Sequence, residues 1–217
     1  MRSIAYSKDA LRTLARIPAN TAMLIRGKIE SYAADPASQA NNIRALTGRP
    51  GFLRLRVGDW RVIFSDDGRV VAVIKVGPRG DVYDRRQMMM GRTDMTVQTL
   101  KTPSGDTLVV LPEADYLALI SAAEDARDMA AVDAFERRLA LGEEELIPSE
   151  IANRILDGEN RIRVWRDHRG LSAAALAEKA GLAQSYLSQI ETGKRSGTIE
   201  TMKKLADALG IGLDDLA

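Results

Sequence analysis

The 217-residue chain contains no cysteine, which excludes thiol catalysis, disulfides and Cys-ligated zinc or iron-sulfur centres. It has a single histidine, His168. That residue lies in the charged run WRDHR, which reads as a solvated helix face, so neither a multi-histidine metal site nor a histidine-based catalytic triad is expected. No metal and no other cofactor is expected. No stretch approaches the ~18 uninterrupted apolar residues of a membrane span, and MRSIAYSKDALRT lacks the basic-then-apolar pattern of a secretion signal. A soluble, cytoplasmic protein with no membrane partner is the expectation. What the chain does have is charge, unevenly spread: the total is +1, yet residues 1–92 sum to +9, 93–158 to −9 and 159–217 to +1. A basic block followed by an equally acidic one suggests that the second neutralises the first, or that each serves a different partner.

The first ninety residues read as an α+β unit. Residues 2–6 form a short strand, and Ser7 can cap a helix with Leu11, Leu14 and Ala15 at helical spacing before Pro18. A second helix should bury Ala22, Ile25, Ile29 and Tyr32 and end at Asp35-Pro36. From residue 52 the period changes from 3.6 to 2. Leu53, Leu55 and Val57 alternate with Arg54 and Arg56, Gly58-Asp59 turns the chain, 60–65 returns as a partner strand, and Asp66-Asp67-Gly68 leads into VVAVIKV at 70–76. After Tyr83 the pattern dissolves into DRRQMMMGRTD, and 87–94 is assigned as a linker. Residues 95–158 follow as an acidic segment. Two β-prone runs flank the turn SGD, Pro112 can open a helix, and helical spacing runs through Tyr116, Leu117, Ile120, Met129, Val132, Phe135 and Leu139 with acidic residues expected on the opposite face. This piece is short on core of its own and is expected to pack on a partner or dimerise.

Residues 159–217 carry the most specific pattern. Ile162–164 and Trp165 open a helix, Ser172 caps the next, Gly181 makes a tight turn, 183–191 forms a third, and two further helical segments, IETMKKLADALG and LDDL, complete a small bundle. Helix, cap, helix, glycine turn and helix is the geometry that places the third helix in a major groove. The string GLSAAALAEKAGLAQSYLSQIETGKR with LADALGI resembles the Xre/Cro-type helix-turn-helix family. The resemblance implies binding to a palindromic operator as a symmetric dimer, with Gln184, Ser185 and Gln189 at the base-reading positions and Lys194 and Arg195 at the phosphate-facing loop. A glutamine amide suits adenine N6 and N7, and serine can pair with several bases. Ala173 stands where the family often has a polar phosphate contact.

In residues 1–86 chemistry must come from Arg, Lys, Tyr or backbone groups. Arg54 and Arg56 are two apart on a strand and share its non-core face, Arg61 lies on the paired strand, and Arg79 and Tyr83 follow in VGPRGDVY. Guanidinium forks clamp phosphate oxygens and a tyrosine ring stacks on a base. The stretch LTGRPGFLRLRVGDWRVIF with VVAVIKVGPRGDVY resembles the RelE branch of the RelE/ParE toxin superfamily. That resemblance implies entry into the ribosomal A site and metal-independent mRNA cleavage, with Arg61 and Arg79 stabilising phosphate and Tyr83 stacking. Arg54 and Arg56 stand where well-known members carry lysines, and arginine cannot serve as a general base. The ParE-like relatives, which act on gyrase, generally lack this Arg/Tyr set.

Taken together, the order implies a fused type II toxin-antitoxin protein. The toxin would lie at 1–86, Met95 would be the natural start of an antitoxin whose acidic part covers the toxin within or between chains, and 159–217 would repress its own operator as a homodimer or higher even oligomer. Free, the toxin would meet the ribosome and A-site mRNA. Across a linker of ~10 residues the effective concentration is around the millimolar range, which favours silencing in cis. The alternative is a DNA-binding regulator with an inactive toxin-like accessory domain.

Overall fold

The computed structural model describes residues 2–78 and 98–216. Arg79, Tyr83 and the expected linker at 87–94 lie outside the described residues.

Strand β1, Ser3–Ser7, passes directly into helix α1, Lys8–Arg16. The switch is local: the Ser7 hydroxyl accepts the Ala10 N–H at 3.0 Å and donates to the Ile74 carbonyl at 2.6 Å, so one cap starts the helix and pins it to the sheet. Helix α2, Ala19–Ala34, buries Ala22, Ile25, Ile29 and Tyr32, the face its spacing predicts. A 3-10 turn, Pro36–Asn42, then leads into β2, Ile43–Ala45. The expected meander follows as β3 Phe52–Val57, β4 Trp60–Asp66 and β5 Val70–Pro78. Gly58 turns the first hairpin at φ 57°, a region that side chains with a Cβ rarely adopt.

Strand β1 lies parallel to β5, with Tyr6 opposite Val73. Between the pairs Phe64–Val73 and Val62–Val76, β4 has one residue and β5 has two, Ile74 and Lys75. This bulge keeps Val71, Val73 and Val76 on one face despite their uneven spacing. That face, with Leu55, Val57, Val62 and Phe64, packs against Leu14, Ile25 and Ile29 of the two helices.

The acidic segment opens with a hairpin, β6 Gln98–Lys101 and β7 Thr107–Val110, and continues as one long helix, α3 Glu113–Ala140. Its second half lies on the other face of the sheet, where Val132 joins Ile63 and Leu46, with Phe52 packed against them. The expectation that the acidic residues face away is overturned at two positions. Glu124 and Asp128 are buried on the same stripe as Val132 and Phe135, and their carboxylates are accommodated there by arginines of the sheet.

Strand β8, Leu146–Pro148, then adds antiparallel to β1 with Ile147 opposite Tyr6, giving the six-stranded order β2-β3-β4-β5-β1-β8. Helix α4, Ser149–Leu156, packs behind it. The bundle follows: α5 Arg161–His168, α6 Ala173–Lys179, α7 Gln184–Glu191 and α8 Ile199–Leu209. The final LDDL forms only a 3-10 turn, Leu213–Asp215. Tyr6, Ile147, Ile155, Trp165 and Leu209 belong to one continuous apolar cluster, so the first sheet, β8 and the bundle share a core. The α+β unit followed by a hairpin and a helical region is therefore the architecture the sequence predicts. Among the described residues no helix is long and apolar enough to cross a membrane.

Candidate functional site

The sheet face under α3 is built by strand alternation and pairing. Arg54 lies opposite Ile63, and Arg56 lies directly opposite Arg61, so Arg54, Arg56 and Arg61 share the face that carries Ile63. Arg54 is 4% exposed, while Arg56 and Arg61 are half-buried. Three cations on two adjacent strands repel one another and cost desolvation, an arrangement that persists only if anions approach.

Helix α3 supplies them. One Arg54 Nη lies 3.0 Å from Asp128 Oδ2, 3.0 Å from Asp125 Oδ1 and 3.7 Å from Glu124 Oε2. The other Asp128 oxygen stands 3.6 Å from Arg61 Nε. One carboxylate thus spans two guanidiniums on neighbouring strands, as the two non-bridging oxygens of a phosphodiester would. Burial pushes the Asp128 carboxyl above its ordinary pKa, outweighing the pull of Arg61 and Arg54. Among the described residues, Arg54 Nε and one Arg61 Nη are buried without an acceptor, so α3 satisfies this face incompletely. A further cation of the N-terminal unit, Arg49, pairs with Asp133 and, at 3.1 Å, with Glu136. Arg79 and Tyr83, the other two expected site residues, are outside the described residues.

The acidic partners were not singled out from the sequence. The signal was present: Glu124, Asp128, Val132 and Phe135 fall at i, i+4, i+8 and i+11, one stripe of a helix. Nor was the anchor at β8 foreseen. There Glu144 accepts the Lys8 N–H at 2.9 Å, Glu145 meets Lys8 Nζ at 3.3 Å, and Glu145 also takes a two-pronged hydrogen bond from Arg169, which caps the C-terminus of α5. Arg12–Asp215 at 2.7 Å and Arg26–Asp157 at 2.9 Å tie α1 and α2 to the C-terminal part. Burial alone would raise the Glu145 carboxyl, but the Arg169 hydrogen bonds hold it below its usual value.

In the bundle, Ser172 caps α6 by accepting the Ala175 N–H at 3.1 Å, and Arg166 of α5 grips Glu191 at the end of α7 at 2.7 Å. Leu187 and Ile190 point α7 into the core. Its other face is open: Gln184, Ser185 and Gln189 are exposed, as are Lys194 and Arg195 in the following loop. The Arg195 guanidinium lies 4.9 Å over the Tyr186 ring, which orders that cation beside the open face. His168 is half-buried against Trp165, and burial, with the nearby Arg169 charge, holds its pKa below the ordinary histidine value. Among the described residues no group of three or more Asp, Glu or His is placed to hold a metal ion.

A family model described as "ParE toxin of type II toxin-antitoxin system, parDE" matches residues 4–83, and one described as "Helix-turn-helix" matches residues 162–216. The chain carries a helix-turn-helix domain, preceded by a region similar to ParE toxins. Within the RelE/ParE superfamily, the match is to the ParE model. The helix-turn-helix domain is 40% identical over 58 residues to the uncharacterized HTH-type transcriptional regulator y4dJ of Sinorhizobium fredii, covering 27% of this chain and 74% of that protein. It is 39% identical over 57 residues to the HTH-type transcriptional regulator SinR of Bacillus subtilis, covering 26% of this chain and about half, 51%, of SinR. Among solved structures, the restriction-modification controller protein C.AhdI from Aeromonas hydrophila matches at 37% identity over 27% of this chain and 89% of that one, with a TM-score of 0.27. SinR in complex with DNA matches at 38% identity over 25% of this chain and 89% of that one, with a TM-score of 0.25.

Proposed function

We propose that the chain is a self-neutralised toxin-antitoxin fusion: residues 1–86 form a ribosome-dependent mRNA interferase, 95–158 hold it silent, and 159–217 repress an operator. The observation that carries this reading is the Asp128 carboxylate spanning Arg54 and Arg61 under α3. A face built to receive a phosphodiester is occupied by a carboxylate of the same chain, and the two cannot be there together. When α3 lifts, Arg54, Arg56 and Arg61 meet the scissile phosphate and, with Arg79, take up charge as the ribose 2′-oxygen bonds to phosphorus and the bond to the 5′-oxygen breaks. None of these arginines accepts the 2′ proton, because guanidinium stays protonated. That proton goes to Tyr83, water or the ribosome, and the departing 5′-oxygen takes up a proton from the same sources, leaving a 2′,3′-cyclic phosphate and a 5′-hydroxyl.

The DNA-binding half of the proposal rests on α7. Its exposed Gln184, Ser185 and Gln189 suit base edges, and Lys194 and Arg195 suit phosphate. Relatives of this segment are named as transcriptional regulators, and one is seen with DNA. The match of residues 4–83 to the ParE family favours a second reading, in which the freed toxin acts on gyrase.

Inducible expression of residues 1–92 separates these readings. Growth arrest with cuts in translated mRNA, lost in Arg54→Ala/Arg61→Ala, supports the interferase. Arrest with intact mRNA and inhibited supercoiling transfers the target to gyrase. Unimpeded growth with folded domain leaves a DNA-binding regulator carrying an inactive toxin fold.

A further inference from the structure

The described fold leaves an apolar surface uncovered at β6 and β7. All eight residues of β6 and β7 are exposed. In their register Leu100 opposes Leu108 and Gln98 opposes Val110, so Leu100, Leu108 and Val110 share one face, with Val109 on the other. The first turns of α3, which follow β7 after two intervening residues, add Tyr116 at 54% and Leu117 at 57% exposure. A two-stranded hairpin is marginal in water unless something packs on it, and its outer edges offer unpaired N–H and C=O groups.

We propose that β6, β7 and the first turns of α3 form a homodimer interface, packing on the same surface of a second copy of this chain about a two-fold axis. Charge argues for that occupant. Residues 98–120 carry one cation, Lys101, against Asp106, Glu113 and Asp115. Such a segment has too few cations for nucleic acid or an anionic membrane, and too little charge to repel its own copy. Exposure agrees. Leu100, Leu108 and Val110 on one hairpin face, with Tyr116 and Leu117 of α3, are each 44–57% exposed, which leaves large apolar side chains in water unless a partner covers them. Continuity agrees as well. The second half of α3 is committed to the toxin sheet and the open face of α7 to its own partner, so two copies joined here keep both toxin faces covered and present two recognition helices on one particle. Only this last step rests on the DNA-binding reading of α7.

The test uses the full chain without DNA. Sedimentation equilibrium at up to about 100 μM should give twice the 23.7 kDa chain mass, and Leu108→Asp/Val110→Asp should weaken dimerisation by about 100-fold while the near-ultraviolet spectrum of the remaining fold is kept. A wild-type chain that stays single at that concentration, or a double variant that stays dimeric, overturns the proposal. Because the charged variant can act by unfolding the hairpin, a second measurement uses the absence of cysteine. Leu100→Cys, Leu108→Cys and Leu117→Cys chains are oxidised mildly beside a Met23→Cys control, Met23 being exposed on α2. A covalent dimer from at least one of the three and none from the control supports the interface, and none from any of the three overturns it. Operator titration keeps the two readings apart: a monomeric variant that binds a palindrome as tightly as wild type counts against the operator reading and leaves the interface standing.

Discussion

Removing Asp128 should loosen α3 without unfolding the sheet it covers. In Asp128→Ala, Arg54, 4% exposed, loses the carboxylate to which it donates a hydrogen bond at 3.0 Å, and Arg61 loses the carboxylate at 3.6 Å. Breaking a buried pair by deleting one partner costs about 3–5 kcal/mol, because the other charge stays desolvated. Asp125 and Glu124 still face Arg54, so the lower end of that range applies. At 1.36 kcal/mol per decade this is at least about a 100-fold shift toward the lifted helix. Native-state hydrogen exchange of the amides in 124–136 should accelerate by that factor, while those of β4 and β5 should not. Growth should be unaffected, because tethering at around millimolar effective concentration re-docks the helix. Asp128→Asn should cost less than about tenfold, since its carbonyl still accepts from Arg54 and burial already disfavours the charged carboxyl. Unchanged exchange in Asp128→Ala would refute the argument that this carboxylate fastens α3. Equal loss in the Asn and Ala variants would show that charge, not the hydrogen bond, does so.

Three further outcomes follow from the same geometry. Ile147 is fully buried where β8 joins β1, so Ile147→Ala should cost about 2–5 kcal/mol and lower the melting midpoint by roughly 5–15 °C in calorimetry. Tyr6, through burial, and Tyr32, through burial and its hydrogen bond to Asp66, are both pushed up to about 12. Their contribution to stability is complete below the ordinary tyrosine pKa near ~10 and is lost as pH rises through about 12; absorbance titration should show these two ionising last, and Tyr32→Phe should flatten the loss. In operator binding, Gln184→Ala or Gln189→Ala should cost about 1–3 kcal/mol on the cognate site only, whereas Lys194→Ala should weaken all sequences alike and reduce the salt slope by about 1.

The elements legible in the sequence are those whose cause is local. Ser7 capping α1, the stripe Ala22, Ile25, Ile29 and Tyr32, the alternation through Leu53, Leu55 and Val57, and the glycine turn at 181 each act within one or two turns of chain, and each is found where the spacing puts it. The shared face of Arg54, Arg56 and Arg61 was legible for the same reason, since strand period and hairpin register fix it. The opposite charges of the first two blocks were legible too, as a sum, but not the contacts that realise them. Tertiary structure alone decided that Glu124 and Asp128 turn inward, because a carboxylate enters an apolar stripe only where a guanidinium from a distant strand receives it. It alone decided that Leu146–Pro148 is a strand: three residues carry no period, and the open edge of β1, some 140 residues earlier, supplies the hydrogen bonds. Local spacing determined which faces this protein has, and long-range pairing determined what covers them.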